Sequence, residues 1–537
     1  MKYKINKAFI IGAFLLVCFF ASCIYRRPIE SKGFSNSDAT YHVLLTMQAY
    51  DESSFNDHSF LPIQTFEGGT NKYINNGPSL IQDSNGNNFY VSFSPMGFYV
   101  PYLFCKILHL GLNANSLFIY NSLLMLLCAG LLAQLVYQLL GERKLSAIAF
   151  VAYIFIPEVL YTQGVVYWHH SLSQVFLILQ LLIFSKLHMK STEKKRVWQL
   201  LFLLVSFIYP YLEWTGFISN IGFALCIFID GFSINKYSAK KLIYNHAATS
   251  KIVLLGTTTC AALGYYLWRF SKIATVQELI TTLSSRAAYR SESKYTDLLS
   301  GYWDSYKTLI IFTMICVILS LLMKQPRSTL RRLLSSKSLV LLIVASFIPV
   351  FENVVMTEHA ISYTFDRLKF APFLIIVLST SIKALWECKK KILNTGIIAA
   401  MIIVSFWGIS AYDDNKFVDF GDGYKNSLVL RDYLNENYLN NNRAILVKRG
   451  WRAWGYLQTM YHRNIYCTDL YPEQSLIGEA ENRGCQEIIY LTEGAACWDT
   501  GVYDYAEVYD ISSGRVTEVS SQNGEIEAKE KTTIVAS

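Results

Sequence analysis

Residues 115–140 read NSLFIYNSLLMLLCAGLLAQLVYQLL, an uncharged apolar stretch closed by Gly141, Glu142, Arg143 and Lys144. A helix rises about 1.5 Å per residue and needs roughly 20 apolar residues to cross the hydrocarbon of a bilayer, so this stretch can span one. Comparable stretches lie near 8–25, 146–166, 171–188, 199–212, 214–230, 252–270, 308–323, 338–355, 371–386 and 394–412. The composition agrees: 537 residues, 52% hydrophobic and 16% charged, with a mean hydropathy of +0.27, are too apolar for an ordinary soluble protein. The expected fold class is a polytopic α-helical membrane protein with about 11 transmembrane helices. The two short stretches around Glu213 read as a tight helical hairpin or a broken pair.

Basic residues set the orientation. Lys2, Lys4 and Lys7 precede the first span, and Arg143 with Lys144, Lys190 to Arg196, Lys236 to Lys241, Lys324 to Lys337, and Lys389 to Lys391 occupy every second loop. Loops rich in Lys and Arg stay cytoplasmic, which puts the N-terminus inside. Residues 26–114, the Trp168–His170 turn, the Glu213 turn, 271–307, 356–370 and the tail from Ala411 then fall outside, in a multi-pass protein of the plasma or inner membrane. The net charge of +8 sits in these orienting loops, so nucleic acid is not an expected partner.

The first stretch has the basic start and small residues (Ala21, Ser22) of a signal peptide, but the many later spans favour an uncleaved helix. The domain division expected is 1–412 for the membrane domain, with a large outer loop 26–114, and 413–537 for a small extracytoplasmic α/β domain with a polar end. In the tail, 424–440, 451–461 and 472–483 read as helices, and 444–448, 465–467 and 487–491 as strands. This alternation suggests a parallel sheet. From Ser512 a strand and a loose end are expected. Cys467, Cys485 and Cys497 lack metal-ligand spacing and leave one disulfide plus a free thiol open.

Within the polar loop 26–97, Asp38 opens a segment in which Ala39, His42, Val43, Thr46, Met47 and Tyr50 keep helical spacing. Asp38 therefore stands at or near a helix N-cap, and capping alone would account for an Asp there. The Phe93–Phe104 stretch is aromatic and proline-bounded, as in an interfacial helix or an aromatic belt.

Asp38 beyond the first span, Pro95 to Leu103, the Leu110-Gly111-Leu112 turn and Leu140-Gly141-Glu142-Arg143 together resemble the GT-C fold polyprenyl-phosphate-dependent glycosyltransferases. Within these, they are most like the protein mannosyltransferase and aminoarabinose transferase superfamily. Phe365-Asp366-Arg367-Leu368-Lys369-Phe370-Ala371-Pro372 is similar to that superfamily's basic entry to a late span. The chain departs from the pattern at Met96, at Ser94, and at Trp168-His169-His170-Ser171, where a second acidic residue is expected.

The resemblance implies transfer of a sugar from a polyprenyl-phosphate donor, by an inverting single displacement, to a glycan, lipid-linked or protein acceptor on the outer face. Such transfer needs a base for the acceptor hydroxyl and cations for the departing phosphate. Asp38 is the expected base, and Arg367 and Lys369 the expected phosphate ligands, with snorkelling to the interface as their other reading. Tyr41, His42, His169, His170, Glu213, Arg286 and Arg290 are candidate substrate contacts. His169 and His170 could also ligate a metal with Glu358 and His359, although adjacent helical residues diverge by about 100°. No cofactor is certain, and a divalent metal is left open. A transporter or flippase, or an O-antigen-type polymerase, for lipid-linked saccharides is the competing reading; internal repeats and mid-membrane charges, the marks of a transporter, are not evident.

Overall fold

The computed structural model describes residues 7–28, 32–34, 36–67, 80–188, 195–234, 246–288, 295–413, 417–440, 443–449, 453–468, 474–492 and 502–531. They form two compact units, one of residues 1–27, 118–268 and 287–415, the other of 28–117, 269–286 and 416–537.

The first unit is helical. Among the described residues six helices are long and apolar enough to cross a membrane: Ala114–Leu140, His169–His188, Tyr295–Leu322, Lys337–Val355, Thr364–Trp386 and Lys391–Tyr412. Two shorter apolar helices cover Ile10–Tyr25 and Thr215–Gly231. The chain is thus a polytopic, largely α-helical membrane protein, but the expected count of 11 spans is corrected downward. Two expected spans lie in the less apolar helices Lys195–Leu212 and His246–Phe270, which carry Lys195 and Arg196 in one and Thr257, Thr258 and Thr259 in the other.

The stretch 146–166 is not one helix but two, Arg143–Ile154 and Pro157–Thr162. Pro157 has no amide hydrogen to continue the ladder and pushes Ile156 into extended backbone (φ −67°, ψ 128°). Backbone carbonyls freed inside a bilayer need internal donors. Asn121 Nδ2 supplies Thr162 O, Gly164 O and Val166 O at 3.1, 2.9 and 2.8 Å. The buried Arg26 donates through Nη1 to Leu160 O and Gln163 O, both at 3.1 Å. Gly164 permits this approach, because a Cβ there would lie 2.2 Å from the Arg26 guanidinium.

Between helices, polar side chains act as the adhesive that apolar surfaces cannot supply in lipid. Gln180 Nε2 donates to Ser206 Oγ (2.8 Å) and Asn220 Oδ1 (2.7 Å), and its Oε1 accepts from Ser219 Oγ at 2.8 Å. Asn220 Nδ2 continues to Ser206 O and to Thr259 Oγ1. On the periphery, Ile392, Ile402, Ile403 and Phe406 of the Lys391–Asp413 helix are exposed, as suits a face against acyl chains.

The second unit contains all the described strands. Among these, β1 (Lys32–Phe34), β2 (Leu80–Gln82), β3 (Asn88–Tyr90) and β4 (Phe417–Asp419) form two small antiparallel pairs, β1 with β4 and β2 with β3. Gly33 is needed in the first pair: a Cβ would lie 2.1 Å from the Phe420 ring. The remaining strands are β5 (Ala444–Arg449), β6 (Ile465–Thr468), β7 (Glu487–Thr492), β8 (Tyr505–Asp510), β9 (Val516–Gln522) and β10 (Glu525–Lys531). They make one sheet in the order β10-β9-β8-β7-β5-β6. β5 is parallel to both β6 and β7, as the alternation of helices and strands predicts. Ile445, Val447, Ile488 and Tyr490 bury one face under Leu476 and Ala480 of the Gln474–Asn482 helix.

The expected loose end after Ser512 is instead an antiparallel hairpin. β9 and β10 turn at Asn523 (φ 53°) and Gly524 (φ 82°), the left-handed pair that a two-residue hairpin turn requires. Cys467 and Cys485 are buried thiols with no disulfide between them, and Cys497 lies outside the described residues.

Candidate functional site

The Ser37–Glu52 helix carries Asp38 in its first turn, and Asn36 holds the N-cap in left-handed backbone without a side-chain cap bond. Asp38 does not cap. Its Oδ2 meets His42 Nε2 at 3.1 Å one turn on, and its Oδ1 is buried with no hydrogen-bond partner among the described residues. A buried carboxylate oxygen left without a donor costs about 1–3 kcal/mol, although the positive end of a helix dipole favours the charge.

Residues far apart in the chain build this corner. His42 Nδ1 lies 3.0 Å from Gln64 Oε1, and the Trp454 ring meets the His42 ring edge-on with centroids 4.6 Å apart. Gly455 approaches so closely that a Cβ would lie 3.2 Å from Asp38 Oδ1 and 3.1 Å from His42 Nδ1. Tyr41 packs edge-on against Tyr456 at 4.6 Å, and burial, then the neighbouring Tyr41, pushes the Tyr456 hydroxyl well above its ordinary range, so it stays neutral.

Gln64 is fixed by its backbone. Its N–H donates to Asn88 O (2.7 Å), the Tyr90 N–H to Pro62 O (2.8 Å), and Asn464 clamps Phe66 by accepting its N–H at 2.8 Å and donating to its carbonyl at 3.0 Å.

A second polar cluster lies in the helical unit. Asp366, fully buried, accepts from His170 Nε2 (2.9 Å), His359 Nδ1 (2.9 Å) and Lys369 Nζ (3.0 Å). Lys369 also pairs with Glu352 and donates to Thr215 Oγ1 at 2.9 Å. Glu213 is buried; its Oε1 accepts the Thr215 N–H at 3.1 Å and stands 3.8 Å from His170 Nε2, while its Oε2 has no hydrogen-bond partner among the described residues. Three carboxylates here face one lysine and two histidines, the pairing that burial of charge demands. His170, Gln174, Tyr209, Glu213, Phe365 and Lys369, among others, line a tight crevice between the helices.

Arg367 points elsewhere. Its Nε donates to Ser305 Oγ (2.9 Å), its Nη1 to Ala360 O (2.6 Å), and its Nη2 lies 3.8 Å from Glu158 Oε2, which also accepts from Ser305 Oγ at 2.6 Å. Gly301 makes room, since a Cβ there would lie 2.7 Å from Nη1.

The structure thus brings Asp38 and His42 together, with Tyr41 on the same helix, and separately joins His170, Glu213 and Lys369. His169 diverges from His170 and packs on Trp168, centroids 4.6 Å apart. His359 binds Asp366 rather than sharing a ligand set with Glu358, and among the described residues no group of three or more His, Cys, Asp or Glu is placed to hold a metal. Arg286 is in the Val276–Ala288 helix, and Arg290 lies outside the described residues. Sequence reasoning missed Glu158, Glu352, Gln64 and Gly455, and used Asp366 only as part of a motif. An acidic residue within an apolar stretch was the signal available for Glu158 and Glu352.

No family model and no curated protein matches the sequence. The structure is similar to that of the archaeal oligosaccharyltransferase AglB from Archaeoglobus fulgidus, solved in complex with an inhibitory peptide and a dolichol-phosphate. The TM-score is 0.56 at 11% identity, covering 98% of this chain and 75% of that one. It is also similar to ArnT from Cupriavidus metallidurans, in the apo state (TM-score 0.53, 10% identity, 90% of this chain and 92% of that one) and bound to undecaprenyl phosphate (TM-score 0.51, 10% identity, with the same coverage). The chain shares the fold of AglB and ArnT.

Proposed function

We propose that the chain is a membrane glycosyltransferase that moves a sugar from a polyprenyl-phosphate donor to an envelope glycan, lipid-linked or protein acceptor. The observation that carries this reading is Asp38, whose Oδ2 is held by His42 while Oδ1 keeps an unused lone pair. In this reading Asp38 takes the proton of the acceptor hydroxyl as that oxygen bonds the anomeric carbon, and the departing phosphate leaves with the electron pair of the broken bond. AglB and ArnT, which share the fold, were solved with dolichol-phosphate and undecaprenyl phosphate, and this supports the donor class.

Lys369 and Arg367 are the proposed phosphate ligands. Both are buried and engaged within the protein, Lys369 by Asp366, Glu352 and Thr215 and the Arg367 guanidinium by Glu158, Ser305 and Ala360 O. Tyr41, His42, His169, His170, Glu213, Arg286 and Arg290 are proposed substrate contacts. A divalent metal would be an addition to these roles. The proposed topology has residues 1–412 in and around the membrane, with the N-terminus cytoplasmic, about ten spans if the two shorter and the two less apolar helices also cross, and residues 413–537 extracytoplasmic.

The test is Asp38→Asn in cells. The expected result is accumulated lipid-linked sugar and loss of the glycan product at normal protein levels. An unchanged glycan profile overturns the mechanism, and accumulation on the cytoplasmic leaflet alone points to a flippase.

A further inference from the structure

The hydrogen bonds around His42 fix where its protons are. Thr46 Oγ1 donates to His42 O at 3.1 Å, so that hydroxyl has only lone pairs left to offer. Gln64 Nε2 faces the Thr46 Oγ1 and lies 3.1 Å from His42 O, and both accept. The His42 carbonyl orients the Gln64 amide: turned over, its oxygen would confront that carbonyl, which can only accept. Gln64 Oε1 consequently faces His42 Nδ1, which must carry a hydrogen. The other ring nitrogen, Nε2, faces a carboxylate oxygen of Asp38 at 3.1 Å. An ionised carboxylate opposite a bare imidazole nitrogen would set lone pair against lone pair, so a proton lies between them as well.

We infer that Asp38 and His42 hold one proton between them at neutral pH, carried on His42, which makes His42 the positioning residue for the Asp38 carboxylate. Imidazole is a stronger base than carboxylate, so the ring keeps the proton. The imidazolium then donates from both nitrogens, to Gln64 Oε1 and to Asp38 Oδ2. The Tyr90 ring (centroids 6.1 Å) and the Trp454 ring also face it. Asp38 is thereby pinned through one oxygen, and the other is left for substrate. This role rests on the glycosyl transfer proposed above: the acceptor proton goes to Oδ1, the His42 proton stays on Nε2, and the sugar–phosphate bond breaks onto the phosphate.

The arrangement is testable without substrate, by nitrogen NMR of the full chain labelled with ¹⁵N-histidine in detergent micelles. Its nine histidines are sorted by the His42→Gln variant. Near pH 7 the expected spectrum contains an imidazolium, both nitrogens protonated, that is missing in His42→Gln. In Asp38→Asn it should convert to a neutral ring protonated at Nδ1. A neutral His42 in the unsubstituted chain overturns the inference, as does an imidazolium that persists in Asp38→Asn. The glycan assay on Asp38→Asn stands apart: an imidazolium here with unchanged glycan there would sink the transfer reaction and leave the proton assignment intact.

Discussion

Replacing Gly455 with Ala separates positioning from stability at the Asp38 corner. The added methyl would sit 3.1 Å from His42 Nδ1, 3.2 Å from Asp38 Oδ1 and 3.3 Å from His42 Cε1, so these side chains must give way by a few tenths of an ångström. Gly455 lies in the first turn of the Trp454–Tyr461 helix, where Ala is favoured over Gly by about 0.5–1 kcal/mol in helical propensity. The propensity gain opposes the crowding, so thermal unfolding in detergent should change by less than about 1 kcal/mol. Transfer is more sensitive: if a 1 Å misplacement costs about 100-fold, a displacement of roughly 0.3 Å costs roughly fourfold. The assay is product glycan formed in membranes containing equal amounts of each protein. Full-speed transfer in Gly455→Ala would refute the claim that this contact positions the base. A matching loss of transfer and of folded protein would refute it too, by reducing the effect to stability.

Three other substitutions probe the frame and its protonation. Asn121→Leu strips a donor from three buried carbonyls, Thr162 O, Gly164 O and Val166 O, and should lower stability by about 3 kcal/mol or more, read from thermal unfolding in micelles; a loss below 1 kcal/mol would show the carbonyls are supplied otherwise. Gly301→Ala forces the Arg367 guanidinium from its seat and should cost about 1–3 kcal/mol by overpacking, with unchanged melting as the contrary result. His58 accepts the Phe60 N–H at Nδ1, and burial lowers its pKa to about 4, against a smaller opposing pull from Asp57. The unfolded chain binds that proton near pH 6.5 and the folded chain only near pH 4, so unfolding takes up a proton between these values and stability falls as the pH drops through that window. Hydrogen exchange of the Ser37–Glu52 helix against pH should show the loss, and His58→Gln should flatten it.

Hydropathy made the helical framework legible, and it failed where side chains rather than the helix's own hydrogen-bond ladder satisfy the backbone. The stretch 146–166 is apolar enough to read as a span, yet Pro157 breaks it, and the donors that tolerate the break, Arg26 and Asn121, come from other helices. The three parallel strands of the tail were readable from alternation, because each pairs with a strand separated from it by a helix. The terminal hairpin was readable as well, since Asn523-Gly524 is a strong turn signal; the polar composition of the flanking strands masked it. At the candidate site, Asp38 stood out by position, and its partner one helical turn on followed from the spacing. Gln64, Gly455 and Asn464 could not be found that way, because their contribution is contact with residues remote in the chain. The same holds for the Asp366 cluster, whose members lie on five separate segments.

The Asn464 clamp on Phe66 also sets a schedule for synthesis. The two residues are 398 positions apart, and at about 5–20 residues per second a ribosome takes roughly 20–80 s to make the second after the first. Throughout that interval the segment bearing Gln64 has left the ribosome without its clamp, and Asp38 is without Trp454 and Gly455. A chain stopped between residues 413 and 453 would keep its membrane helices but lack Trp454, Gly455 and Asn464, so this corner is completed only in the last stretch of translation.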